Sequence, residues 1–205
     1  MITLLDLGMS NRRSVERAIE FVGASVERTV SPEAVERATM IVLPGVGAFG
    51  DGMARMRELG LVAPLRAAAA RGTPILGICL GMQFLCEGSE EFGVHEGLGL
   101  IPGVARRLRP DDPALPVPNI GWCDVRWSTP PRGARDECFY FAHGYAIDDA
   151  ADADVIGTID YGGPVVAAVR RGSVCGVQFH PEKSQDAGLD LLEGLVGTPV
   201  PEVMA

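Results

Sequence analysis

No stretch of this 205-residue chain reaches the ~18 consecutive apolar residues that a membrane-crossing helix needs. Only a few apolar residues precede Asp6, with no basic region before them, so a secretory leader is not expected. The five cysteines, Cys79, Cys86, Cys123, Cys138 and Cys175, are odd in number, form no Cys-x-x-Cys pair and lack the histidine spacing of a zinc site. Positive charge is also short, with 18 Lys and Arg against 27 Asp and Glu, which argues against the basic stripe of a nucleic-acid surface. Arg106-Arg107 and Arg170-Arg171 read as solvated pairs. There is no internal repeat and no linker long enough to divide domains. These absences lead to the expectation of one domain over residues 1–205, cytoplasmic, with reduced thiols, no metal and no cofactor.

What is present suits an α/β protein. Hydrophobic residues make up 47% and charged ones 22%, enough for one large core, and 26 glycines suit many tight strand-to-helix turns. Ile2 to Leu5 reads as a buried strand, and Val15, Ala18, Ile19 and Val22 follow at the spacing of an amphipathic helix that Gly23 stops. Ser25 to Val30 reads as a second strand. Ser31 as N-cap with Pro32 at the first helical position starts another helix, without a capping box because Ala34 occupies the required acid or amide position. Met40 to Leu43 reads as a third strand. It breaks into the glycine-rich loop 44–50 before a helix carrying Met53, Met56 and Leu59. Leu61 to Arg71 makes a further helix, closed by Gly72. The first 87 or so residues therefore read as parallel βαβ units, whose ligands gather at the carboxyl ends of the strands. Residues 88–93 read as a polar turn, and short strands are expected near 100–108, 122–127, 138–145, 154–160, 165–170 and 174–179. Gln185 to Val196 reads as a closing helix.

Two segments carry candidate chemistry. Pro74 to Gln83 reads as a buried strand running into a helix across Cys79, held in Gly77-x-Cys79-x-Gly81. That is the layout of a nucleophile elbow, where a strained turn lifts a reactive side chain and its neighbours must be small. The N–H of Leu80 would then point at an oxyanion. Taken alone, the pattern also suits a buried structural thiol. The loop at 44–50 presents backbone N–H groups but lacks the Lys-Ser/Thr ending of a phosphate loop, so it fits an oxyanion or amide cradle, or a plain connection. In the second segment, Gln178 to Ser184, Pro181 holds His180 extended, so that His180 and Glu182 project to one side as a base and its orienting carboxylate. By itself His180 also suits a surface or core histidine. With an elbow cysteine, the pair forms the set that makes a thiolate nucleophile.

These residues resemble class I (triad) glutamine amidotransferases, nearest to the glutaminase subunits of imidazole glycerol phosphate synthases. The resemblance rests on the Asp6-Leu7-Gly8 to Asn11 start, Pro44 to Phe49, Gly77 to Gln83, Ser89-Glu90-Glu91, Phe139 to His143 and Gly176 to Ser184, in the family's order and spacing. It implies a mostly parallel central sheet flanked by helices, with extra antiparallel strands in the C-terminal half. It implies glutamine hydrolysis through a γ-glutamyl thioester, with Cys79 as nucleophile, His180 as base and Glu182 as orienter. Backbone N–H groups of Leu80 and of Val46 or Gly47 would hold the oxyanion. Gly45, Gln83, Glu91, Gly144 and Tyr145 match substrate contacts, although Glu91 also reads as a plain solvated acid. Ammonia would pass to a (β/α)₈-barrel synthase subunit across a surface including Asn11, Asn119, Trp122 and Lys183. The contact loop departs from the family's Pro-His-Met/Ile-Gly-Trp-Asn, reading Pro118-Asn119-Ile120-Gly121-Trp122-Cys123, and Gly144 replaces a usual Ser. Three assignments are compatible with this pattern: a histidine-pathway subunit, a paralogue feeding a related synthase in surface-sugar or natural-product assembly, and a catalytically silent binding subunit.

Overall fold

The computed structural model describes residues 1–8 and 12–196. The N-terminal half alternates strand and helix. β1 (Ile2–Leu5), α1 (Arg12–Phe21), β2 (Val26–Thr29), α2 (Pro32–Arg37), β3 (Ile41–Gly45), α3 (Phe49–Glu58), α4 (Val62–Ala70), β4 (Ile75–Cys79) and α5 (Leu80–Leu85) follow in order. The second half is mostly β: β5 (Gly88–Ser89), β6 (His95–Glu96), β7 (Val104–Arg107), β8 (Asn119–Asp124), β9 (Arg126–Trp127), β10 (Cys138–His143), β11 (Tyr145–Asp148), β12 (Val155–Asp160), β13 (Pro164–Arg171) and β14 (Val174–Val177). The chain then makes a short 3₁₀ turn, Pro181–Lys183, and the helix α6 (Gln185–Val196). No described helix is long and apolar enough to cross a membrane.

An eight-stranded sheet in the order β2-β1-β3-β4-β14-β13-β12-β9 organises these elements. From β2 to β14 the strands run parallel, and β13, β12 and β9 continue antiparallel. The late strand β14 inserts beside β4, with Val177 level with Ile78, which brings the end of the chain to the carboxyl end of β4. Side chains alternate across the sheet, as period-2 geometry requires. Ile2 and Leu4 of β1, Val42 of β3 and Leu76 and Ile78 of β4 join α1 and α6 in one apolar cluster. Leu5, Ile41, Leu43 and Ile75 join α3, α4 and α5 in the other. Both faces are covered, which is why these strands read as nearly continuous apolar runs.

Local signals account for the helix ends. Ser31 caps α2, its hydroxyl accepting from the Ala34 N–H at 3.3 Å, with Pro32 at the first position. Gly23 and Gly72 have φ of +87° and +79°, where glycine carries no Cβ penalty, and each follows a helix end.

The structure differs from the sequence expectation in five places, all in where strands begin, end or divide. Pro44 and Gly45 belong to β3, so the glycine-rich loop begins at Val46. The stretch read as one strand over 122–127 is two: β8 pairs with β10 in a two-stranded ribbon, and β9 pairs with β12 in the main sheet. Val125, fully buried, separates them. Residues 138–145 likewise divide at Gly144 into β10 and β11, and β11 pairs with β7. Of 100–108 only Val104–Arg107 is strand. Gly103 turns there with φ +109°, so close to Asp148 that a Cβ would lie 2.6 Å from its carbonyl oxygen. The polar turn 88–93 begins with a short strand, β5, which pairs with β6 just beyond the turn in a small sheet of order β11-β7-β5-β6.

The last helix positions chemistry as well as core. α6 comes so close to the 3₁₀ turn that a Cβ on Gly188 would lie 1.9 Å from the Pro181 carbonyl oxygen. Gly188→Ala must therefore displace this turn. It is expected to lose about 1–3 kcal/mol of stability in urea denaturation, as overpacked cores do.

Candidate active site

Cys79 ends β4 and begins α5 with φ +56° and ψ −114°, a conformation non-glycine residues rarely adopt. Its neighbours explain how it is held. A Cβ on Gly77 would lie 2.6 Å from the Gly81 carbonyl oxygen, and one on Gly81 would lie 1.7 Å from the Leu43 carbonyl oxygen. The two glycines let α5 start directly against β3 and β4, and the turn that results presents the Cys79 side chain at the carboxyl edge of the parallel strands. A strained residue fixed by its surroundings is typical of a functional position.

His180 and Glu182 arrive from β14. The His180 N–H donates to the Tyr140 carbonyl at 2.8 Å. The buried Ser184 hydroxyl donates to the His180 carbonyl at 2.7 Å and accepts from the Tyr140 N–H at 3.0 Å. These bonds clamp the turn to β10. His180 Nδ1 lies 2.8 Å from Glu182 Oε1, with both side chains almost wholly buried. Nδ1 is thus committed to the carboxylate, which leaves Nε2 as the ring nitrogen for Cys79. Burial disfavours a charged His180 ring, but hydrogen bonds to Cys79 and Glu182 outweigh it and carry its pKa up to about 9. The three residues stand in the order thiol, imidazole, carboxylate, with the ring between the other two.

Cys79 and His180 border a cavity of about 260 Å³ lined also by Val46, Gly47, Leu80, Gln83, Glu91, Ala142, His143, Gly144, Tyr145 and Lys183, with Glu182 behind the His180 ring. Gly47 has φ +103°, where only glycine is at ease. Glu91 is more than a solvated acid: its Oε2 accepts from the Phe49 N–H at 2.6 Å, tying it to the end of the 46–48 loop. Gly45 lies behind the cavity, packed so that a Cβ would meet Leu80 Cβ and Gly81 N at 3.0 Å. A Cβ at Gly144 would find only ordinary contact with Pro118, at 3.7 Å, so the backbone there accepts a larger residue.

Of the surface residues expected to meet a partner, Trp122 is 46% exposed and stacks edge-on against Tyr140, 6.0 Å between centroids. Lys183 Nζ lies 5.5 Å over the same Tyr140 ring at the cavity mouth, and Ile120 next to Trp122 on this face is 64% exposed. Asn119 is different: it points inward and is buried, bonded to His143 and Cys123. Asn11 lies outside the described residues.

Sequence reasoning assigned no role to His143 or Gln178, both of which are buried beside the site. Their signal is a polar residue at the end of an otherwise apolar run, Phe139 to Ala142 and Val174 to Val177. Burial pushes the His143 pKa down to about 4, more than its bond to the Tyr145 carbonyl raises it, and the ring is neutral at pH 7. The remaining thiols are poor nucleophiles: burial raises Cys175 to about 12, Cys86 to about 11 and Cys123 above its usual range, and a bond to Asp124 lifts Cys138 to about 11. Among the described residues no group of three or more His, Cys, Asp or Glu side chains is arranged to hold a metal ion.

Residues 3–193 match the family model of the class-I glutamine amidotransferases, and the chain belongs to that family. Its similarity is narrower still among relatives named imidazole glycerol phosphate synthase subunit HisH. The one from Herpetosiphon aurantiacus is 46% identical over 94% of this chain and 91% of its own. Those from Moorella thermoacetica and Salinibacter ruber are 44% and 43% identical, over 94% and 98% of this chain and 92% and 96% of theirs. Solved structures share the fold: a glutamine amidotransferase crystal structure superimposes with a TM-score of 0.76 at 20% identity over 96% of this chain and 99% of that one. PurLQS from Thermotoga maritima does so with 0.76 at 21%, over 96% and 97%.

Glu182→Gln removes the negative charge beside the His180 ring while keeping its shape. In an NMR titration the His180 midpoint, near 9 in the parent protein, is expected to fall in this variant.

Proposed function

We propose that the chain is a single-domain glutaminase subunit that hydrolyses L-glutamine to glutamate and ammonia. We further propose that it passes the ammonia to a (β/α)₈-barrel synthase subunit that makes imidazole glycerol phosphate and the aminoimidazole carboxamide ribonucleotide in histidine biosynthesis. The observation that carries the first part is Cys79 at an elbow, sharing a buried network with His180 and Glu182 at the wall of one small cavity.

The chemistry follows from those positions. His180 takes the thiol proton, and the Cys79 sulfur attacks the side-chain carbonyl carbon of glutamine. Charge collects on the carbonyl oxygen, which the N–H of Leu80 and that of Val46 or Gly47 stabilise. One such donor is typically worth about 10²–10³ in rate, so the conformation of the 46–48 loop acts as an on-switch. The His180 imidazolium gives its proton to the departing nitrogen as the C–N bond breaks, and ammonia leaves a thioester. Water, deprotonated by His180, then attacks the thioester carbon and releases glutamate and the thiol. Glu182 keeps Nδ1 protonated and the ring aligned. Gln83 borders the substrate amide, and the backbone of Gly144 and Tyr145 meets its carboxylate. The Glu91 carboxylate faces the α-amino group with the oxygen that is not bonded to Phe49.

Ammonia set free in water would be protonated or lost, so the exit from the cavity must be covered. The exposed Ile120 and Trp122 of the ribbon, with the half-buried Tyr140 against Trp122, run up to Lys183 at the cavity, and this apolar face supports docking of a synthase subunit there. The HisH names of relatives 43–46% identical over nearly the full chain favour the histidine pathway over a paralogous acceptor. Such a subunit works in the cytoplasm, where thiols stay reduced.

Ammonia release from glutamine is expected to vanish in Cys79→Ala and to rise when the barrel subunit and its ligand bind. A free chain already at full rate would contradict the partner reading. Because the leaving nitrogen needs the imidazolium proton, hydrolysis is expected to decline as pH rises through about 9. Alkylation of Cys79, which needs only the thiolate, should not decline across that range.

A further inference from the structure

A continuous line of buried polar groups leads from the ribbon strand β8 to the nucleophile. Its direction is fixed by one atom that can only accept, the Tyr145 carbonyl oxygen. Gln83 Nε2 reaches this oxygen at 2.9 Å, so the Gln83 amide nitrogen must face it. The same nitrogen has a second hydrogen, and it lies 3.0 Å from Gln178 Oε1. With its oxygen held there, the Gln178 carboxamide must turn its own NH₂ the other way, and Nε2 lies 3.8 Å from Cys79 Sγ. From the other side, His143 Nδ1 lies 2.9 Å from the Tyr145 carbonyl and must carry the hydrogen. Its Nε2 is then an acceptor, 3.4 Å from Asn119 Nδ2. Every amide orientation and the tautomer follow from the hub without further assumption.

We propose that Gln178 is a positioning residue for the nucleophile, its locked carboxamide donating to the Cys79 sulfur and holding that sulfur aimed into the cavity. The proposal rests on the reading of Cys79 as nucleophile and adds to it a residue that does not line the cavity. Gln178 is fully buried and absent from the cavity wall, so it does not meet substrate. Its backbone N–H is already used by the Ala167 carbonyl at 2.8 Å, so its side chain is not needed to close the sheet. An N–H donor beside sulfur favours the anion over the thiol, and a charge-assisted hydrogen bond in a buried site is among the stronger ones. A polar side chain at the end of the apolar run Val174–Val177 is costly to bury unless its hydrogen bonds are made, and here both ends are satisfied.

The test is alkylation of Cys79 by iodoacetamide at pH 7, followed by mass spectrometry at that residue, alongside glutamine kinetics and thermal melting. Gln178→Met keeps the volume and removes the donor. It is expected to slow alkylation by about ten-fold and lower kcat by a similar factor, with KM for glutamine held within about two-fold. Gln178→Glu, which puts an acceptor against the sulfur, should slow it further. A folded Gln178→Met chain that alkylates at the parent rate overturns the proposal. Should that variant not fold, Gln83→Met frees the Gln178 amide to rotate, and an unchanged alkylation rate there overturns it as well. Ammonia release that survives in Cys79→Ala would instead remove the assigned nucleophile, an outcome the alkylation rates do not depend on.

Discussion

The contact between Gly81 and the Leu43 carbonyl oxygen is the constraint on which the site depends. With no side chain at 81, α5 begins against β3, and the chain can reverse within one residue at Cys79. That reversal costs backbone energy, on the order of 1–3 kcal/mol for a non-glycine residue in such a region. It persists because Gly77, Gly81 and Gly45 leave the helix no other place to sit. Fix the elbow, and the direction of the thiol, of the Leu80 N–H and of the Gln83 side chain all follow.

A second constraint is the insertion of β14 beside β4. A parallel strand arriving about a hundred residues later is what sets His180 and Glu182 against the cysteine. The Ser184 clamp to β10 and the close approach of Gly188 to Pro181 then prevent the turn from drifting. The elbow supplies a strained cysteine, and the late strand supplies a histidine whose charge survives burial because hydrogen bonds to Cys79 and Glu182 outweigh it.

Much of this was legible in the chain. Residues Ile2 to Leu5, the Ser31-Pro32 helix start and the closing helix carried local signals that packing did not override. The Gly77-x-Cys79-x-Gly81 pattern carried its own steric reason. The region from 100 to 148 was less legible. An apolar run shows that residues are buried but not against which sheet, so 122–127 concealed the crossing from ribbon to main sheet at Val125. Asn119 read as a surface residue because the family resemblance puts the 118–123 loop against a partner, and its inward face follows only from the register with His143. Glu91 reaching Phe49, and Gln178 reaching Cys79 across 99 positions, are contacts between distant segments that no spacing rule records.

The order of these segments has a consequence for the making of the protein. During synthesis Cys79 emerges long before His180 and Glu182, and until they arrive it is an ordinary thiol beside a short helix. If it acts as the proposed nucleophile, its reactivity is a property of the finished fold, acquired late and all at once. On the proposed reading of Cys79, an incomplete chain lacks the base and orienter that its reaction needs until the C-terminal fifth is in place.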